Sequence, residues 1–230
     1  MDLIAHRGFA DDGVENALPT LVDAAGTADA VEFDVRLSRD GVPVVFHDER
    51  VDRLTAATGP VAAFDAGELT ALTLEGTDAT IPTLSAVLEA VPGRLVPELK
   101  VESVPPALGE RLAAADGRVL VSSFRPAALE ALPAGVDRAL LVAPPESWEA
   151  TVPAAVPTSM AAGIDRARAL SAVAIHPHTS LCEAPAVTTA QRAGLAVNAW
   201  TIRSRETARV VRAAGVDGVI ADSPRYVPDA

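Results

Sequence analysis

Two carboxylates lie two residues apart within the apolar stretch Val31-Glu32-Phe33-Asp34-Val35. In a β-strand this spacing places Glu32 and Asp34 on one face and the three apolar side chains on the other. Two like charges buried side by side are unfavourable unless a cation or hydrogen-bond donors lie between them. A hard divalent metal held by oxygen ligands is the simplest solution. A solvent-facing strand with two ordinary acids fits this pentapeptide equally well, so the rest of the chain must decide.

Further polar residues recur where predicted strands end. His6 and Arg7 close the first apolar run, and His47 closes the third. Glu98 and Lys100 repeat the two-residue spacing and therefore share a strand face, and Lys100 is the only lysine of the chain. Each of these residues alone is explained more simply as a structural residue or a surface pair. Their repetition at successive strand ends favours a common site.

Four other polar residues near these strand ends are given structural or supporting roles. His176 and His178 are interpreted as structural or peripheral, and Asp222 as a cap of the turn that follows it. Asp48 is predicted to orient His47 or its loop.

A scaffold that brings successive strand ends together is indicated by the apolar pattern, because strand-length runs alternate with segments of helical periodicity. Strands alternating with helices over a chain of this length predict a closed parallel (β/α)8 barrel, whose strand ends meet at one mouth. The predicted strands are 3–6, 30–35, 42–47, 95–99, 119–124, 138–142, 157–161, 173–176, 196–202 and 218–221. A tight turn is predicted at Asp40-Gly41, between the second and third of these runs. The predicted helices are 15–25, 83–91, 104–115, 125–132, 146–154, 184–193 and 205–214, with Thr83 as a cap.

The length and composition of the chain limit the number of domains and the kinds of partner that we expect. At 230 residues the chain suits one α/β domain, 1–230, with a loop-rich insertion over about 48–82. A formal net charge of −12 repels nucleic acid and anionic membranes. The acidic, lysine-poor composition is typical of a high-salt host or of an Arg-favouring GC-rich genome, and the sequence does not separate the two.

The single cysteine, Cys182, excludes an internal disulfide and a multi-thiolate zinc site. The first residues lack a basic segment followed by a long apolar one, and no stretch approaches the length of a membrane span. We therefore expect a cytoplasmic protein without stable membrane insertion.

The chain resembles the glycerophosphodiester phosphodiesterase family along nearly its whole length. The matching motifs, in the family's order, are His6-Arg7-Gly8, Glu15-Asn16, Glu32-Phe33-Asp34-Val35, Asp40-Gly41-Val42-Pro43-Val44-Val45-Phe46-His47-Asp48, Ile81-Pro82-Thr83-Leu84, Glu98-Leu99-Lys100, Ser122-Ser123-Phe124, Asn198-Ala199-Trp200-Thr201 and Asp217-Gly218-Val219-Ile220-Ala221-Asp222-Ser223-Pro224. The resemblance implies a TIM barrel and metal-dependent hydrolysis of glycerophosphodiesters to glycerol 3-phosphate and an alcohol. Two departures are Ala17, where the family commonly has Thr, and the insertion, which has no clear counterpart motif.

The resemblance also implies a metal site and a proton-transfer pair. Glu32, Asp34 and Glu98 look like the ligands of one Mg²⁺ or Ca²⁺ ion. His6 and His47 look like the general acid and base, and an imidazole that titrates near neutrality suits both roles.

A substrate site is implied in the same way. Arg7 resembles the family's phosphate-binding arginine, with Lys100 assisting. Glu15, Phe124 and Trp200 resemble residues that line the site. The implied partner is a small glycerophosphodiester, whereas the head group, the choice of metal and the oligomeric state stay open.

Two other functions are compatible with the same residues. A lyase of the sphingomyelinase D type would form a cyclic phosphate on the same kind of barrel, and phosphorus NMR of the products would identify it. A protein that binds a metal and a phosphorylated ligand without turnover is a second alternative, but binding alone does not need two histidines.

Overall fold

The computed structural model describes residues 1–101, 103–115, 117–145 and 157–228. Its described strands are β1 (Asp2–Ala5), β2 (Ala30–Leu37), β3 (Pro43–Val45), β4 (Arg94–Leu99), β5 (Leu120–Ser123), β6 (Asp137–Val142), β7 (Ala174–Pro177), β8 (Ala196–Ile202) and β9 (Gly218–Ala221). Strand β1 pairs in parallel with both β2 and β9, which closes a ring in the order β1, β2, β4, β5, β6, β7, β8, β9. The predicted (β/α)8 barrel is confirmed.

Helices connect the barrel strands. Those described are α1 (Leu18–Ala24), α2 (Ala66–Leu69), α3 (Leu84–Ala90), α4 (Pro106–Ala113), α5 (Pro126–Glu130), α6 (Met160–Ala169), α7 (Ala184–Arg192) and α8 (Arg205–Ala213). The predicted cap is confirmed, since the Thr83 hydroxyl accepts a hydrogen bond from the Ala86 amide. None of the helices in the described ranges is both long and apolar enough to cross a membrane.

Alternation along each barrel strand separates an outer core from the barrel interior. Val31, Phe33 and Val35 belong to the large apolar core between strands and helices. Their neighbours Glu32 and Asp34 have the opposite parity and face inward, as the sequence predicted. The interior also holds a smaller apolar cluster formed by Ile4, Ala30, Val96, Leu141, Ala143, Trp200 and Ile220. The barrel is therefore packed, and its polar residues are confined to selected positions.

Two predicted strands differ from the structure. The run at 42–47 is not a barrel strand, because β3 pairs antiparallel with β2 and returns toward the rim after a tight turn at Gly41. A tight turn can join only antiparallel neighbours, since parallel strands need a long crossover. The strand predicted at 157–161 is wrong, because the Ser159 hydroxyl caps α6 by accepting from the Ala162 amide. The helix predicted at 146–154 lies outside the described residues.

The insertion after His47 is folded rather than irregular. It contains α2 and the 3₁₀ turns Val51–Arg53 and Val61–Ala63. The insertion has a small apolar core of its own, to which three residues from outside the insertion also contribute. The insertion supplies Val51, Val61, Leu69, Leu74 and Ile81, and the neighbouring residues are Ala17, Val44 and Phe46. This core fixes the Val51–Arg53 turn beside the barrel mouth.

Two glycines test how tightly the helices pack on the barrel. A Cβ on Gly163 in α6 would lie 2.8 Å from Val142 and 3.0 Å from Ile175, whereas one on Gly67 in α2 would meet nothing within 4 Å. We expect Gly163→Ala to lower the free energy of unfolding by about 1 to 3 kcal/mol, because overpacking outweighs the gain in helix propensity. Gly67→Ala, the matched control, should raise it by about 0.5 to 1 kcal/mol. Urea unfolding of both variants measures this, and a Gly163→Ala protein as stable as wild type would contradict the packing.

Candidate active site

Three carboxylates meet inside the barrel mouth. Glu32 and Asp34 come from β2 and Glu98 from β4, and each offers an oxygen within 4.8 Å of the others. All three side chains are buried. Burial, together with the charges of Asp34 and Glu98, raises the pKa of Glu32 well above its ordinary value. The pKa of Asp34 moves the other way, because its nearby cations outweigh the effect of burial and lower it well below the usual range.

Asn16 fixes the orientation of Asp34. Its Nδ2 donates to Asp34 Oδ2 at 2.9 Å, and its Oδ1 accepts from the Asp34 backbone amide at 3.1 Å. Asn16 adopts a left-handed conformation with φ of 61°, which Asn tolerates better than most residues. The role of Asn16 was not predicted from the sequence, although its place beside Glu15 in a family motif was the available signal.

Two cations lie against the carboxylates. Arg7 Nε lies 3.2 Å from Asp34 Oδ2, and its backbone amide donates to Glu32 Oε2 at 2.8 Å. Lys100 Nζ lies 3.1 Å from Asp34 Oδ1 and 2.5 Å from Glu98 Oε1. Burial opposes the charge on both groups, but the surrounding carboxylates outweigh it and raise the pKa of Arg7 and of Lys100. The two cations explain how Asp34 stays ionised although its side chain is buried.

The acidic cluster fits a hard divalent cation. Glu32 Oε1 is buried and accepts no hydrogen bond from the described residues. Three carboxylates against Arg7 and Lys100 leave one formal negative charge, and carboxylate oxygens are the donors that Mg²⁺ and Ca²⁺ prefer. A divalent ion would bring this group of five to a single positive charge, which matches the single negative charge of a phosphodiester.

Both predicted histidines face the same cavity as the carboxylates. His6 follows β1, and its Nδ1 lies 2.5 Å from Asp222 Oδ1 while its Nε2 lies 4.0 Å from Glu32 Oε2. Burial and the charge of Arg7 lower the pKa of His6, although Asp222 opposes this. His47 follows β3, and its Nδ1 lies 2.7 Å from Asp48 Oδ1. The predicted orienting contact of Asp48 with His47 is therefore present.

The predicted role of Asp222 as a cap of the following turn is wrong. The turn after β9 is capped by Ser223, whose hydroxyl accepts from the Arg225 amide, while the Asp222 side chain binds His6 and Arg203. Burial opposes ionisation of Asp222, but hydrogen bonds from His6 and Arg203 outweigh it and lower its pKa. The available signal was position, because Asp222 directly follows a buried barrel strand, as the other site residues do.

Arg53 is a second residue that the sequence analysis did not single out. It lies in the insertion, and its guanidinium donates to both Asp48 and Glu15. Glu15 in turn accepts from Arg7 Nη1 at 3.1 Å. Glu15 therefore lies behind the cavity wall as a support for Arg7. No local motif distinguishes Arg53 from the other arginines of the chain, so its position depends on the fold of the insertion.

The cavity has a volume of about 290 Å³ and is lined by both polar and apolar residues. The polar ones include Arg7, Lys100, His6 and His47. The apolar ones include Trp200, which belongs to the small apolar cluster of the barrel interior, and Phe124, which packs against that cluster. The two aromatic rings pack edge to face, with centroids 5.4 Å apart. A charged group bound near the carboxylates would thus have an apolar surface beside it.

The two further histidines differ in position. His176 lines the cavity and is therefore not peripheral. Burial lowers the pKa of His176 to about 3, so its imidazole is neutral. Its Nε2 lies 3.1 Å from Asn198 Nδ2, and its carbonyl accepts from Trp200 Nε1. His178 lies outside the cavity lining and contacts the Trp200 ring from behind. His176 is therefore a neutral part of the cavity wall.

Comparisons with known proteins agree with this geometry. The sequence model of the glycerophosphoryl diester phosphodiesterase family matches residues 6–226. YhdW of Bacillus subtilis is 31% identical over 99% of this chain and 96% of its own length. A glycerophosphodiester phosphodiesterase of Caldanaerobacter subterraneus is 28% identical over 96% of this chain and 94% of its own.

Solved structures agree as well. A phosphodiesterase of Oleispira antarctica, solved in complex with the product sn-glycerol-3-phosphate, superposes with a TM-score of 0.78 at 30% identity, covering 99% of this chain and 95% of its own. The match of the family model extends over strands β2 to β9 and over the residues that form the cavity. The chain belongs to the glycerophosphoryl diester phosphodiesterase family, whose members are enzymes that hydrolyse phosphodiesters.

Proposed function

We propose that this chain hydrolyses glycerophosphodiesters to glycerol 3-phosphate and an alcohol with one bound Mg²⁺ or Ca²⁺ ion. The observation that carries the proposal is the arrangement of His6 and His47, which face one cavity beside a buried carboxylate cluster and two cations. The product bound to the Oleispira antarctica phosphodiesterase supports glycerol 3-phosphate as one product.

The metal would be held by Glu32, Asp34 and Glu98. When bound, a divalent ion neutralises charge and polarises a phosphoryl oxygen as a Lewis acid. The partnerless Glu32 Oε1 and the formal charge of the cluster support this assignment.

Arg7 and Lys100 bind the phosphate in this proposal. Both line the cavity, and a guanidinium has five N–H donors, of which the contacts with Asp34 and Glu15 involve only Nε and Nη1. The negative charge on the phosphoryl oxygens grows as the bond to the leaving group breaks. A preorganised donor at such a position is commonly worth about 3 to 4 kcal/mol of barrier.

His6 and His47 transfer the protons. One imidazole removes the proton from the attacking hydroxyl, and the other donates a proton to the departing alkoxide. Each Nδ1 is engaged by an aspartate, which leaves each Nε2 available to the substrate. A protein that only binds its ligand would not need this pair.

The metal assignment is tested with Glu32→Gln and the surface control Glu89→Gln, in an assay of glycerol 3-phosphate release with and without chelator. We expect chelation and Glu32→Gln each to abolish most activity. Mg²⁺ or Ca²⁺ should raise the melting temperature of wild type and of the control but not of Glu32→Gln, since binding to the folded state stabilises it. The metal-free Glu32→Gln protein should be at least as stable as wild type, because burial beside Asp34 and Glu98 makes an ionised Glu32 unfavourable when no cation is bound. Full activity in excess chelator would contradict the metal assignment.

The proton-transfer pair is tested with His6→Ala, His47→Ala and the double variant. We expect each single variant to lose about 10² to 10⁴ in kcat, and the double variant to be hardly worse, because the pair acts as a unit. His178→Ala, outside the cavity lining, should keep a rate close to wild type. Additive losses in the double variant would indicate that the two histidines act independently.

The nucleophile is tested with a substrate analogue. A glycerophosphodiester has a hydroxyl on the carbon next to the esterified one, and its intramolecular attack has an entropic advantage over water. An analogue without this hydroxyl should bind but turn over much more slowly, with the loss in kcat rather than in KM. An equal kcat would show that water attacks directly. Phosphorus NMR of the natural reaction would detect a cyclic phosphate, and its accumulation as the final product would identify a lyase.

A further inference from the structure

The two histidines have the same pattern of supporting groups. Asp222 Oδ1 lies 2.5 Å from His6 Nδ1, and Arg203 Nε donates to Asp222 Oδ2 at 2.6 Å. Asp48 and Arg53 form a similar arrangement at His47. Asp48 Oδ1 lies 2.7 Å from His47 Nδ1, and Arg53 Nε donates to Asp48 Oδ2 at 2.6 Å. Arg53 Nη2 also donates to Asp48 Oδ1, at 3.1 Å.

The two supports come from unrelated parts of the fold. Asp222 follows strand β9 and Arg203 follows the adjacent strand β8. Asp222 is separated from His6 by 216 positions in the sequence. Asp48 is the sequence neighbour of His47, and Arg53 belongs to the insertion. Similar geometry from dissimilar elements indicates a shared chemical requirement rather than a by-product of the barrel.

An ionised carboxylate fixes the tautomer of an imidazole that it binds. Carboxylate oxygens only accept hydrogen bonds, so Nδ1 of a neutral His6 must hold the proton and Nε2 keeps its lone pair. The Asp222 side chain is only 6% exposed, so solvent competes little for this contact. Arg203 holds the other oxygen and thereby fixes the rotation of the carboxylate.

We propose that Asp222 and Asp48, each held by its arginine, are positioning residues that keep a proton on Nδ1 of both imidazoles, so that Nε2 is the nitrogen that takes up or gives a proton on the substrate side. This inference rests on the proposed role of His6 and His47 in proton transfer. It assigns Arg203 and Arg53 the task of preventing rotation of the carboxylates.

Replacing Asp222 with Asn makes the idea testable, because an amide has one accepting and one donating end. Arg203 can only donate, so it should take the amide oxygen and turn the NH₂ group toward His6 Nδ1. Nδ1 must then accept, which moves the proton to Nε2 and removes the lone pair from the cavity. In the double variant with Arg203→Met, the amide is free to turn its oxygen back to His6.

A purely structural role for Asp222 predicts that Asp222→Asn has no effect. Its backbone carbonyl accepts from the Asp11 amide at 3.0 Å and its amide donates to the Ile202 carbonyl at 3.1 Å. Asp222→Asn keeps both bonds and nearly the same shape. If only these contacts matter, neither the His6 tautomer nor the rate should change.

The experiment is ¹⁵N NMR of the imidazole nitrogens in the Mg²⁺-loaded protein, together with steady-state kinetics. Spectra are recorded at about pH 8.5, roughly two units above the ordinary imidazole pKa, with resonances assigned from the single histidine variants. We expect an Nδ1–H signal for His6 in wild type and an Nε2–H signal in Asp222→Asn. The kcat should fall about 10²- to 10⁴-fold, as general acid-base catalysis is lost when the histidine of a Ser-His-Asp triad has the wrong tautomer, with little change in KM.

Two controls distinguish an effect of the His6 tautomer from a general effect of removing a carboxylate. Asp2→Asn removes a carboxylate paired with Arg94 at the other end of the barrel and should change neither tautomer nor rate. Asp222→Asn with Arg203→Met should recover the Nδ1–H signal and at least about tenfold in kcat, since the lost rate reflects the tautomer. A double variant that recovers neither would overturn the role of Arg203.

An unchanged His6 tautomer in Asp222→Asn overturns the proposal whatever the rate, and so does a changed tautomer with wild-type kcat. If Asp222→Asn does not fold, Asp48→Asn applies the same test to His47, with the same two overturning results. A fully active His6→Ala would instead contradict the proton-transfer assignment, and the NMR result would still report the tautomer. The two failures are therefore distinguishable.

Discussion

The constraint on which this active site depends is the burial of several carboxylates at the barrel mouth. Asp34 is fully buried, and it stays ionised because Arg7, Lys100 and Asn16 contact it from different elements. Removing one partner of a buried ion pair is costly, because the other charge is left uncompensated. The loop after β1, strand β2 and strand β4 are thus held together by charge as well as by apolar packing. Lys100, the only lysine, follows from this constraint, since its compact ammonium reaches both Asp34 and Glu98.

The fold and the inner site could be predicted because two-residue alternation is a local property. Glu32 and Asp34 point inward for the same reason that Phe33 points outward, and no other part of the chain is needed to see it. His6 and His47 were found by position and by the family resemblance. The direction of β3 was accessible in the same way, because a tight turn at Gly41 permits only an antiparallel return.

The supporting residues could not be predicted equally well, because their partners are distant in sequence or lie in the insertion. Asp222 has a local explanation as a turn residue, and only the closure of the barrel brings it to His6. Arg53 looks like any exposed arginine until the core of the insertion places it against Asp48 and Glu15. The segment around Ser159 was predicted wrongly for a different reason, since the short stretch at 157–161 has no periodicity that distinguishes a strand from a helix cap.

The insertion has a consequence for how the site is held together. Arg53 joins Asp48, which binds His47, to Glu15, which binds Arg7, so one side chain connects the supports of two residues to which we assign proton transfer and phosphate binding in the proposed function. At His6, Arg203 donates to Asp222, which binds the imidazole. Asp48 is about a quarter exposed and Asp222 nearly buried, so solvent weakens the first contact more than the second. The orientation of His47 therefore depends on the folding of the insertion, whereas that of His6 depends on closure of the barrel.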